Sequence, residues 1–179
     1  MAERKVCLVE DCSGAPLGSG HCIGHAAEDE IDGVLRDLAG GRRVDVFRGT
    51  DVRQDLPGRL LEVLPNNADG RRRMTRAEFS GARFGFGVSF RDIVWDGHTT
   101  FADAEFVRGV LFERSVFTGQ TAFGDAVFLG GARFDRAEFQ DAAVFNAARF
   151  DGDARRSESV CDISWYEIAR SLDGIPGNR

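Results

Sequence analysis

From Phe79 to Phe150 a bulky aromatic returns at alternating intervals of five and six residues. The positions are Phe79, Phe84, Phe90, Trp95, Phe101, Phe106, Phe112, Phe117, Phe123, Phe128, Phe134, Phe139, Phe145 and Phe150, with one tryptophan as the only departure from phenylalanine. The underlying repeat is eleven residues long, small-x-Phe-x-x-small-x-Phe-x-x-x. A helix of period 3.6 or a flat strand of period 2 cannot bring all these positions to one face. A short fixed period of this kind marks a solenoid, whose stacked coils share one core.

Within each step the aromatic shares a face with the small residue two before it, as in Ala82 with Phe84, Ala104 with Phe106 and Ala126 with Phe128. A large-plus-small inward pair lets neighbouring rungs interdigitate without voids. The residue between them should face solvent, and it is often charged: Glu78, Arg83, Glu105, Arg133, Glu138, Arg149. Glycine and aspartate gather after the aromatic, where tight corners suit them.

Outside the repeat the pattern changes. Ala26 to Leu38 spaces Ile31, Val34, Leu35 and Leu38 as one face of a short helix with an acidic first turn, stopped at Gly40-Gly41. Arg43 to Val52 alternates and is β-branched, which predicts a strand or first coil. Asp55 to Leu64 carries Leu56, Leu60, Leu61 and Leu64 on one helical stripe, and Met74 opens the repeat one rung early. Val160 to Leu172, with Cys161, Trp165, Ile168 and Leu172 spaced four, three and four, predicts a further amphipathic helix, in which Cys161 is a buried small hydrophobe. The expected organisation is a segment 1–25 with clustered cysteines, an N-terminal helical and strand cap over 26–72, a β-helix over 73–152, and a capping helix and tail over 153–179. Caps are expected because a bare coil end is an open row of backbone groups.

The repeat resembles the pentapeptide-repeat family. ADAEF (Ala102 to Phe106) and RAEF (Arg136 to Phe139) match its small-polar-Leu/Phe pattern. The resemblance implies a mainly β fold, a right-handed four-sided β-helix with one short strand per side. One residue inserted on every second side is similar to the Phe-rich undecapeptide branch and implies coils of about 22 residues in place of 20. Phe79, Phe101, Phe123 and Phe145 should then stack. So should the outward columns Arg83–Glu105–Val127–Arg149, Val94–Val116–Glu138 and Ser89–Leu111–Arg133. At strand spacing of ~4.8 Å, slightly more than three coils make a rod about 16 Å long.

The chemistry is concentrated at the start. Cys7-x4-Cys12-x9-Cys22-x2-His25 offers two close ligand pairs separated by a glycine-rich loop, the spacing that a tetrahedral Zn²⁺ site wants. Four protein ligands leave no open position, so the expected zinc is structural. His21 is an alternative ligand with poorer spacing, and a disulfide is the competing use of the thiols. So polar a segment has little core without metal, and chelation is expected to release residues 1–25 while leaving the β-helix intact. The motif resembles Cys-Cys-Cys-His zinc knuckles at the N-termini of bacterial proteins.

Composition narrows the function classes. Of 23 basic residues only Lys5 is lysine, and the Ala, Gly and Asp bias suggests a GC-rich bacterial genome. No apolar run spans a membrane and none follows the N-terminus as a signal segment, so the expected compartment is the cytoplasm. No P-loop, dinucleotide fingerprint or placed nucleophile occurs, His98 falls at a corner, and an enzyme is not expected. The leading expectation is a non-catalytic protein-interaction module with an unidentified protein partner, no membrane contact, and a coil end at which two copies could pair. Leu111, Val116 and Val127, apolar at outward positions, are candidates for a binding strip. The alternative is nucleic-acid binding through the zinc knuckle and the cluster Arg71, Arg72, Arg73 and Arg76. The formal charge of −6 argues against it. Some pentapeptide-repeat proteins are acidic DNA-like rods that protect a type II topoisomerase. Here residues 77–152 hold 11 acidic and 7 basic side chains on a short rod, a poor imitation of duplex DNA.

Overall fold

The computed structural model describes residues 6–40, 42 and 45–151, and the backbone of 160–161. Its main body is a β-solenoid of about four turns with about 22 residues per coil. Four parallel sheets form the four sides. The first face carries Thr99–Thr100, Thr121–Ala122 and Ala143–Val144, and the second Arg83–Phe84, Glu105–Phe106, Val127–Phe128 and Arg149–Phe150. The third carries Val88–Ser89, Val110–Leu111 and Ala132–Arg133. The fourth carries Arg72–Thr75, Ile93–Asp96, Val116–Phe117, Glu138–Phe139 and Val160–Cys161.

The register follows the aromatic period. Arg83, Glu105, Val127 and Arg149 pair in succession, as do Val94, Val116 and Glu138, and Ser89, Leu111 and Arg133. Every aromatic of the five-and-six rhythm from Phe79 to Phe150 is buried, whereas Phe86, which stands outside the rhythm, is half-buried. Along one face the rings stack nearly parallel: Phe84 lies 5.0 Å from Phe106 at 2°, and Phe106 lies 5.1 Å from Phe128 at 4°. Between faces they meet edge-on, as Phe84 and Phe90 do at 5.9 Å and 86°. Both geometries suit the ring quadrupole and add about 0.5–1.5 kcal/mol per pair beyond area burial. Trp95 fits the column over Phe117 at 5.8 Å and 3°, but its indole N–H is buried without an acceptor among the described residues.

The alternation of five and six has a backbone cause. The five-residue steps turn through a left-handed residue two places after the aromatic: Gly81, Asp92, Asp103, Arg114, Asp125, Arg136 and Ala147, with φ between 56° and 66°. Of the six six-residue steps, those after Trp95, Phe106 and Phe128 turn through a glycine of positive φ, Gly97, Gly109 and Gly131. Aspartate tolerates the left-handed region, whereas alanine has no side chain with which to offset its cost of about 1–2 kcal/mol. Ala147→Gly is therefore expected to stabilise the fold by about 0.5–1 kcal/mol, after the greater chain entropy of unfolded glycine is subtracted. A urea midpoint that fell in this variant would contradict the account.

Charged side chains tie consecutive coils together. Arg114 grips Asp92 with two hydrogen bonds of 2.7 and 2.6 Å, Arg83 donates to Glu105 at 3.0 Å, and Arg91 meets Glu113 at 2.6 Å. The Arg114 guanidinium holds the Asp92 carboxyl below its ordinary value. The Arg114–Asp92 and Arg83–Glu105 pairs are largely solvated, so each contributes under about 1 kcal/mol, whereas the Glu113 carboxylate that Arg91 meets is mostly buried.

The segment before the solenoid closes one end. Helix α1 (Glu28–Ala39) buries Ile31, Leu35 and Leu38, and α2 (Leu56–Val63) buries Leu56, Pro57 and Leu60. Arg59 joins them, donating to Glu28 at 2.9 Å, Asp32 at 2.6 Å and Asp55 at 3.0 Å. Met74 pairs with Trp95 and opens the repeat as the sequence predicts.

Three expectations need correction. Arg43 to Val52 is not a regular strand: Val46–Gly49 is a turn, Asp51 makes a single bridge to Arg83, and Arg43 and Val44 lie outside the described residues. That turn instead sets Phe47 on the ring of Phe79 at 4.9 Å, beginning the aromatic column one level earlier. Not every residue preceding an aromatic is exposed, because Thr100 and Val116 are buried. Val160–Cys161 is a strand paired with Glu138–Phe139, not the start of a helix. The rest of the expected helix, to Leu172, and the side chain of Cys161 lie outside the described residues.

Candidate metal centre

Cys7, Cys12, Cys22 and His25 converge on one point, with their ligand atoms all within 4.8 Å of one another. Two short turns and the loop between them do this. The Ala15 N–H donates to Arg48 O and the Leu17 N–H to His21 O, folding the glycine-rich loop back. Cys7 and Cys22 are buried, Cys12 is half-buried, and His25 forms the exposed edge.

Three of the six ligand-to-ligand spacings match the edges of a tetrahedron. With Zn–S near ~2.3 Å and Zn–N near ~2.0 Å, its edges are about 3.8 Å between sulfurs and about 3.5 Å from sulfur to nitrogen. Cys12 Sγ and Cys22 Sγ lie 3.7 Å apart, and His25 Nδ1 lies 3.5 Å from Cys7 Sγ and 3.4 Å from Cys22 Sγ. The three thiols are unpaired, so the competing disulfide is not formed. His21 stands outside the group.

The surroundings favour the thiolate at Cys7 and the protonated thiol at Cys22. Burial alone pushes the Cys7 thiol up, but N–H donors from Val9 and Cys22, with the His25 and Cys12 side chains, outweigh it and bring it down to about 6. The Cys22 N–H donates to Cys7 Sγ at 3.3 Å. Burial, and then the neighbouring Cys12, pushes Cys22 up to about 11. Such donors around the sulfurs orient the ligands and tune them for a cation.

The centre is not a free-standing knuckle. A Cβ on Gly14 would fall 2.6 Å from Cys22 Cβ, one on Gly24 2.6 Å from Asp51 O, and one on Gly49 2.6 Å from Ser13 O. Only glycine permits these approaches. Ser13 Oγ donates to Gly49 O at 3.1 Å, the Gly49 N–H to Ser80 O at 2.8 Å, and the Arg83 N–H to Thr50 O at 2.9 Å. Ligand loop, turn and first coil form one continuous layer, and Ile23 belongs to the same hydrophobic cluster as the phenylalanine stack.

The candidate surface residues are dispersed. Leu111 is half-buried on the third face, Val116 is buried between Val94 and Glu138 on the fourth, and Val127 is half-buried on the second. They form no common strip, because positions five or six apart turn onto successive sides. Of the arginine cluster, Arg72 donates to Glu62 O and Leu64 O, and Arg73 pairs with Asp96. Arg71 is half-buried, and Arg76 is exposed beside the corner holding Gly97 and His98. No helix among the described residues is long and apolar enough to cross a membrane. Compared with known proteins, the chain matches no family model, no curated protein sequence and no solved structure.

Proposed function

We propose that this chain is a non-catalytic protein-interaction module: a rigid β-helix of pentapeptide-repeat type whose N-terminal end is closed by a structural zinc site. The observation that carries this reading is the union of the four-ligand cluster with the first coil. A metal held by four protein ligands has no position for substrate, and its role there is to fix structure. The solenoid beyond it holds outward side chains in fixed columns, pinned by ion pairs from coil to coil. Three unpaired thiols suit a reducing compartment, which favours the cytoplasm. The arginine cluster lends nucleic-acid binding little support, since Arg72 and Arg73 are engaged within the fold.

Protein purified without a histidine tag is expected to carry one zinc per chain. X-ray absorption should show three sulfurs at ~2.3 Å and one nitrogen at ~2.0 Å, and Cys12→Ala should abolish tight binding. Metal-free protein with oxidised cysteines would refute the zinc assignment. Cross-linking in the native host tests the interaction reading. Specific protein adducts are expected, whereas steeply salt-dependent binding to random duplex DNA without such adducts would replace it with a nucleic-acid role.

A further inference from the structure

The one-residue insertions that widen alternate sides have a consequence for binding. On the third face, successive six-residue steps place Gly87, Gly109 and Gly131 in register along a groove of about 460 Å³. Ser89, Leu111 and Arg133 form one wall, and Arg108 rises on the other. The groove crosses three coils, about 10 Å at ordinary strand spacing, which accommodates roughly three residues of extended chain.

Its charge is opposite to that of its surroundings. The lining holds two arginines and no acidic residue, on a segment, residues 77–152, with 11 acidic and 7 basic side chains. Arg108 is exposed and has no acidic partner among the described residues. Arg133 reaches Glu113 only at 3.5 Å, a carboxylate that Arg91 already holds at 2.6 Å. Guanidinium groups with free donors bind carboxylates in paired geometry. The half-buried Leu111 between them offers an apolar contact.

We propose that this groove binds an extended acidic segment of a partner protein, its carboxylates on Arg108 and Arg133 and an aliphatic side chain against Leu111. The inference rests on the reading of the solenoid as a display surface. A long polyanion fits less well, because the acidic faces around the groove repel charge over its length while a short segment meets only the two arginines.

A random heptapeptide display library, selected on the zinc-loaded full chain, tests this. Enriched sequences should place Asp or Glu next to Leu, Ile or Val. By fluorescence anisotropy the best of them should bind Arg108→Ala/Arg133→Ala at least roughly tenfold more weakly. Leu111→Ala should weaken binding about threefold, and Arg149→Ala, an exposed arginine on another face, should leave it unchanged. Thermal melts confirm that each variant is folded, and Arg108→Glu alone serves if the double variant is not. Absence of acidic sequences, equal binding to the arginine variants, or displacement of the peptide by an oligonucleotide with the same arginine dependence would each overturn the groove assignment. Failure of the library leaves the interaction-module reading standing, because cross-linking in the host judges that separately.

Discussion

Phe112→Ala is expected to cost about 3–5 kcal/mol and to unfold the solenoid in a single transition. Phe112 is fully buried at the centre of the stack. Its ring stacks on Phe90 at 5.7 Å and Phe134 at 5.1 Å, and meets Phe101 at 5.3 Å and Phe123 at 5.7 Å edge-on. Coils above and below cannot both close on the vacated space, since each is tied to its neighbours by the parallel ladders. In an array this short, loss of one interface removes support from every coil, so local damage becomes global unfolding. Phe86 provides the control. It is a solenoid phenylalanine outside the rhythm, half-buried, with its ring 6.5 Å from Phe84. Phe86→Ala should cost less than about 1.5 kcal/mol, because a half-exposed ring returns only part of its area to water. Urea denaturation of both variants decides: a loss below ~1 kcal/mol for Phe112→Ala, or equal losses for the two, would show that the rhythm does not define the core.

The β-helix was legible because one residue class kept one spacing, and the 22-residue register came from that eleven-residue spacing taken together with the four-sided coil that the family resemblance implies. The place of Phe47 in the aromatic column was not legible. Phe47 stands 32 residues before Phe79, ten more than one coil, because α2 interrupts the path between them. An insertion destroys a period without destroying the stack. Val160–Cys161 failed for the opposite reason: Cys161 is 22 residues beyond Phe139, yet a cysteine does not continue an aromatic rhythm, and spacings of four and three point to a helix. The metal ligands could be read because thiolate and imidazole pairs at short spacing have few other uses. Their union with the coil could not, since it depends on Gly14, Gly24 and Gly49 as points of close approach. In the sequence these look like ordinary loop glycines.

That union changes the expected result of metal removal. The sequence suggests that chelation frees a separate N-terminal knuckle, but the geometry makes the knuckle the outer layer of the stack. Stripping zinc is therefore expected to destabilise the whole chain by about 3 kcal/mol or more, seen as a lower melting temperature of the β-sheet signal and not only as proteolysis of the first ~25 residues. Coupling of this kind is reciprocal, so a change in the coil that touches no ligand must weaken the metal. Gly49→Ala is the sharpest such change. Its φ of 63° disfavours alanine, and the new Cβ would press on Ser13 O at 2.6 Å, one residue from Cys12. Strain and overpacking together should cost about 2–4 kcal/mol, and zinc affinity measured by competition with a chelator should fall at least roughly tenfold, the equivalent of 1.4 kcal/mol of that cost reaching the site. If the apo protein melts at the holo temperature, and Gly49→Ala binds zinc as tightly as the parent chain, the metal closes only its own loop and the solenoid stands without it.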